Sequence, residues 1–245
     1  TLDPGEVARL ATHRAMVNLS VLISAIFTNA TWPELTAIDA RGETGRLVEA
    51  YRSFVKFNLW LAGGVALLAV PLAPLLYPSW TQGRLIVDQV TLALLVARVP
   101  LWAVWNASAV VLMASNQHRL VVVALWSSSL VTSATAVFLV PLMGIRGVAL
   151  ATLIGDLAVS AWAAPFLGCR YVGDGPLGFS KSLASAAWWG LMIPTGLGYC
   201  LWTLLPTQIA RYAVAIPVAI ASAAWLIQSH LSPIEGRLLH KLVSG

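Results

Sequence analysis

The residues with the most chemistry to offer lie in one apolar stretch, Leu85 to Ser115, with Arg98 near its middle. An arginine at bilayer depth costs roughly 2.5–3.5 kcal/mol on insertion scales. Such a side chain faces a protein interior or a wet cavity rather than lipid. If the stretch is a helix, Asp88, Thr91, Arg98, Trp102 and Asn106 share one face, within an arc of about 80°. Leu, Val and Ala fill most of the rest. A greasy helix with one polar stripe suits a bundle enclosing a hydrophilic path, and its chemistry is binding and passage. The alternative is a structural arginine paired to a neighbouring helix.

Two further sets of polar residues fall in apolar surroundings. Arg14, Asn18, Thr28 and Asn29 form a second stripe, about 100° wide on a helical wheel. Arg14 lies near the end of its stretch, where its long side chain is equally able to snorkel to the interface. Asp156 is the second deep ion and the natural partner for Arg98 if packing brings the two together.

The elements that would carry these residues follow from composition. The chain has 245 residues, 58% hydrophobic and only 10% charged, with a mean hydropathy of +0.79. A soluble domain carries about 25% charged residues. A bilayer core about 30 Å thick takes roughly 20 apolar residues per helical span, and only helices or closed barrels satisfy the backbone there. The expected fold is therefore all-α, a polytopic membrane helix bundle of about seven transmembrane helices. The spans fall near 14–32, 54–77, 85–115, 120–142, 147–169, 183–205 and 209–228. Residues 1–169 then form a five-span bundle, and 170–245 add two further spans and a short interfacial helix. Pro33 is expected to close the first span ahead of a solvated loop. Gly63-Gly64 permits close helix approach, and Pro71, Pro74 and Pro100 predict bends. The hydroxyls of the fourth span, Ser127 to Thr135, read as tight helix packing.

Several function classes are excluded. The net charge of +5 does not point to nucleic acid, because the basic residues lie mostly in loops. Nine Lys and Arg fall on the side of the loop between the first two spans, five on the other, with Arg98 within the membrane. The positive-inside rule places the richer side, and with it the C-terminus, in the cytoplasm. The four histidines lie at span ends or in the tail without metal-ligand spacing, so no metal or cofactor is expected. Cys169 and Cys200 sit at different depths, which argues against a disulfide. No cluster of acids or histidines accompanies a nucleophile, so no enzyme is expected. Thr1 and the lack of a signal-peptide pattern read as a piece of a longer chain.

Three stretches in order carry a resemblance: TWPELTAIDARGETGRL at 31–47 after Arg14, VPLAPLLYP at 70–78, and VPLMGIRGVALATLIGD at 140–156. The last is the most specific, a G-x-x-G-x-A-x-A-T run opening a span. Together they resemble the multidrug/oligosaccharidyl-lipid/polysaccharide exporter superfamily, and within it the Wzx-type polysaccharide flippases and lipid II flippases. The resemblance implies two lobes of six spans around a central cavity, often with two further spans. This chain would be the C-terminal half, lacking the N-terminal lobe of the same protein. It also implies a cavity-lining role for Arg14.

The function so implied is translocation of an undecaprenyl-pyrophosphate-linked oligosaccharide across the bacterial inner membrane by alternating access. Arg14 and Arg98 would neutralise the pyrophosphate, Asn18, Asn29 and Asn106 would bond sugar hydroxyls, and Asp88 and Asp156 are the deepest acids. A proton or sodium ion would couple transport, and Asp156 would hold Arg98 or take the proton. Membrane lipids are the other expected partner. The rivals are a cation-coupled multidrug exporter of the same superfamily, a membrane-embedded glycosyl- or acyltransferase, and a purely structural subunit.

Overall fold

The computed structural model describes residues 3–192. Every regular element among them is helical. Five helical stretches among the described residues, the fifth of them Ile145–Val172, are long and apolar enough to cross a membrane, the architecture of a multi-pass membrane protein. The expected spans over 183–205 and 209–228, Cys200 and the tail helix fall largely or wholly outside the described residues.

Helix α1 runs Pro4–Ala40. The Asp3 carboxylate caps it by accepting from the Gly5 N–H at 3.1 Å, and Pro4 takes the first turn, where no N–H is needed. The expected break at Pro33 does not occur. Proline removes one backbone bond, and the turn beyond it is held because Leu35 and Ile38 are buried in the core. Helix α2, Thr44–Thr81, likewise runs through Pro71, Pro74 and Pro78. Helix α3 spans Gln89–Ala114 with Pro100 inside it, and α4 spans His118–Met143.

A single residue, Gly144, turns the chain from α4 into α5, Ile145–Gly155. Its φ of 56° with ψ of −132° lies in a region essentially restricted to glycine. The two helices then pack closely. A methyl group on Gly147 would overlap the Leu139 carbonyl, and one on Gly155 would overlap the Thr132 hydroxyl. Ala151, between them, is fully buried. Gly147, Ala151 and Gly155 thus present one small-residue face at four-residue spacing.

The fifth span is not a uniform α-helix. Residues Asp156–Ser160 form a π-helical turn before α6, Ala161–Val172. The stretch between the expected fifth and sixth spans, 170–182, is also mostly helix: only Gly173, Asp174 and Gly175 separate α6 from α7, Pro176–Ala187, which runs on into a second π-helical turn, Trp188–Met192.

Helices α1, α2 and α3 form the centre. One core cluster joins Phe27, Ile38, Tyr51, Phe54, Phe57 and Val110 to Cys169 of α6 and Phe179 of α7. The other joins Met16, Ala66, Tyr77, Leu95 and Val99 to Ile145 and Ala149 of α5. Gly63 lies against Leu191, where a methyl group would come within 2.8 Å of a side-chain carbon, while Gly64 faces open space. Helix α4 leans on α5 and leaves Trp126, Leu130, Val137 and Phe138 exposed.

Candidate functional site

Arg98 sits halfway along α3 and donates Nε–H to Oδ2 of Asp156, the first residue of the π-helical turn. The turn widens the helix by one residue, a distortion that recurs at functional sites, and it follows directly on Gly155, which lies against α4. Asp156 is 8% exposed, and Arg98 is its ionic partner.

The pair forms one wall of a cavity of about 350 Å³. Because α4 packs on α5 rather than on α3, a trough is left between α3 and α4 with α5 and the π-helical turn behind it. Trp102 and Trp105 line the α3 side, Ser128, Ser129, Thr132 and Ser133 line the α4 side, and Thr152 and Ser160 complete it. Ser128 donates to the Gly155 carbonyl at 3.1 Å, and Thr152 donates to the Ala149 carbonyl at 2.8 Å. No other group among the described residues pairs with the hydroxyls of Ser129, Thr132, Ser133 and Ser160 or with the Trp105 indole N–H. With Arg98 and Asp156 opposed, the ionised groups of the lining cancel.

The polar stripe expected on α3 is divided among three places. Arg98 and Trp102 line the cavity. Asn106 instead donates to the Thr28 hydroxyl at 3.5 Å. Thr28 and Ser24 both donate to Oδ1 of the fully buried Asn58, at 3.3 and 2.5 Å. That amide ties α1, α2 and α3 together, which is a structural use.

Asp88 does not line the cavity but is the N-cap of α3, accepting from the Val90 N–H at 3.3 Å and the Thr91 hydroxyl at 2.7 Å. The same carboxylate takes both arms of Arg146, at 2.9 and 3.0 Å. These bonds, the Arg146 pair first, hold its pKa down to about 2. The Asp88 backbone N–H donates to Nε2 of the fully buried His13 at 3.0 Å. An obligatory donor at Nε2 leaves Nδ1 to carry the ring proton, shared between the Arg9 carbonyl at 2.7 Å and the Tyr77 oxygen at 2.8 Å. His13 therefore joins α1, α2 and α3 at one end of the bundle.

Arg14, Asn18 and Asn29 are exposed on α1 among Leu19, Leu22 and Ile26, and none is among the residues lining the cavity. At the opposite end from His13, Arg52 grips the buried Asp174 with two bonds, at 2.8 and 2.5 Å, fastening α2 to the joint between α6 and α7.

The cavity-lining role of the α4 hydroxyls escaped the sequence reading. Ser128 with Thr132, and Ser129 with Ser133, stand four residues apart and so share a face, which was a usable signal. Their packing role is carried mainly by Ser128 and Thr132. Asn58 and His13 gave no such signal, because each draws its partners from distant helices. No protein-family model, curated protein or solved structure matches this chain.

Proposed function

We propose that this chain belongs to an alternating-access transporter of the bacterial inner membrane. It moves a lipid-linked, pyrophosphate-bearing oligosaccharide outward for cell-surface polysaccharide assembly. The observation that carries the reading is the Arg98–Asp156 pair set in the wall of a hydroxyl-lined cavity between apolar helices. A side-chain pair needed only for packing gains nothing from an unpartnered Trp105 N–H and Ser160 hydroxyl beside it, since buried polar groups cost free energy unless bonded. The exposed strip of Arg14, Asn18 and Asn29 on α1 supports the reading from a second side. It offers a cation and two amides on a face that a second lobe would cover, and Arg14 is the free guanidinium for the pyrophosphate. The side of the bundle bearing the α1–α2 turn is cytoplasmic in this scheme.

The test replaces both charges, Arg98→Gln with Asp156→Asn, in the full-length protein. Membrane abundance and the arrival of lipid-linked glycan at the outer leaflet are then measured. Lost translocation at normal abundance supports the reading, and unchanged translocation removes it.

A cation-coupled multidrug exporter is the second reading, favoured by the presence of Asp156 in the same cavity. It requires that carboxylate to exchange Arg98 for a proton or a metal ion. An ion-gradient dependence of drug efflux, with no effect on surface glycan, would select it.

A further inference from the structure

The cavity between α3 and α4 differs from the α1 strip in one respect that decides what it binds: it carries no unbalanced charge. Arg98 and Asp156 neutralise each other through one bond, so an anionic phosphate finds no unbalanced cation there and a cationic drug no unbalanced carboxylate, while the remaining guanidinium N–H groups and the second carboxylate oxygen stay open to neutral partners. What the cavity does offer is a set of neutral hydrogen-bonding groups. Ser160 is 5% exposed and its hydroxyl has no partner among the described residues. The Trp105 indole N–H is likewise buried without a partner, while the hydroxyls of the half-buried Thr132 and the exposed Ser129 and Ser133 bond no other group among the described residues. The apolar surface of the lining comes from the indoles of Trp102 and Trp105 and from Leu125. Its volume of about 350 Å³ lies at the small end of the range for ligand sites, about 300–1,000 Å³.

We infer that this cavity is a subsite for one neutral sugar ring, with the Ser/Thr hydroxyls and the Arg98–Asp156 pair bonding ring hydroxyls and the indoles covering the apolar ring face. The inference rests on the transport reading for its substrate but divides that substrate between two places. The sugar occupies the α3–α4 cavity, and the diphosphate occupies a site with a free cation, of which Arg14 on α1 is the candidate. A hydroxyl-bearing ligand gives partners to the buried Trp105 N–H and to Ser160, and a polar site rejects an analogue lacking the matching hydroxyls.

The experiment uses the full-length protein in liposomes and two probes. One is a polyprenyl diphosphate carrying a single N-acetylglucosamine with a photoreactive diazirine on the sugar. The other is the same carrier without sugar and with the diazirine on its lipid tail. The expected result is sugar-dependent cross-linking to peptides covering 98–105 and 128–133. The combined variant Ser129→Ala, Thr132→Val and Ser133→Ala should lower it about tenfold, the equivalent of one or two lost hydrogen bonds. If that variant does not fold, Ser133→Ala alone, at an exposed position, should lower it about threefold. Sugar cross-links that map elsewhere, or that match those of the sugar-free carrier, overturn the subsite. Outer-leaflet delivery is scored separately with a membrane-impermeant lectin. Cross-linking at the cavity without delivery would leave the subsite standing and overturn the transport function; delivery without cross-linking there would do the reverse.

Discussion

Arg98 and Asp156 are bonded across the bundle although 58 residues separate them in the chain. Asp156 has almost no other access to solvent, while the Arg98 side chain keeps 35% of its exposure. Breaking a buried pair from one side strands the other charge. Arg98→Ala should therefore cost about 3 kcal/mol, the low end of the range for buried pairs because of that exposure. The double replacement by Gln and Asn should cost less than about half as much. Thermal unfolding of the purified protein in detergent checks both, and a double variant no more stable than the single one would count against the pair as a unit.

The α4–α5 contact predicts a contrast among glycines. Gly155→Ala drives a methyl group into Thr132, and Gly147→Ala drives one into the backbone at Leu139. Each should destabilise by about 2–3 kcal/mol through overpacking. Gly64→Ala meets nothing within 4 Å and should be neutral or slightly stabilising, because alanine is the better helix former. Comparing melting temperatures of the three variants is sufficient, and equal losses would sink the packing account.

Asp88 predicts an acid-sensitive joint. Its pKa is lowered from an ordinary 3.8 to about 2, chiefly by the bonds from Arg146. A depressed folded-state pKa contributes stability that is present above the unfolded value and lost as pH falls through the folded one. The loss should therefore run from about pH 4 down to about 2. Its size is about 1–2 kcal/mol, discounted because half of the Arg146 side chain is exposed. Asp88→Asn should remove that portion of the acid dependence, measured as unfolding against pH.

The His13 joint predicts an order of severity. His13→Phe removes the acceptor for the part-buried Asp88 N–H, with the other bonds of the ring, and should cost about 2–3 kcal/mol. Tyr77→Phe removes one hydroxyl from the same cluster and should cost about 1 kcal/mol. Hydrogen exchange at the first turn of α3 reads the difference locally: exchange near Asp88 should rise in the histidine variant and change little in the tyrosine variant.

Much of the architecture was legible in the amino-acid sequence because lipid imposes a simple rule. Backbone groups must pair within each segment, so long apolar runs become helices wherever they occur, and the spans of α2 to α6 lie close to where hydropathy put them. A charge at the centre of such a run is costly enough to announce itself, and both Arg98 and Asp156 did. The ends of helices were less legible. Pro33 reads as a stop until Leu35 and Ile38 are seen to be buried beyond it, and Asp88 reads as part of a stripe until Val90, Thr91 and Arg146 are seen to converge on it.

Composition and hydropathy are enough to specify an all-helical chain with apolar spans and two misplaced charges. Helix packing brings those charges together, sets the α4 hydroxyls opposite Trp102 and Trp105, and leaves Asn106, Asp88, Arg14, Asn18 and Asn29 elsewhere. Helical periodicity gives each residue a direction around its own axis. It does not say which neighbour lies in that direction, and that depends on how small residues such as Gly147 and Gly155 let one helix lean on another.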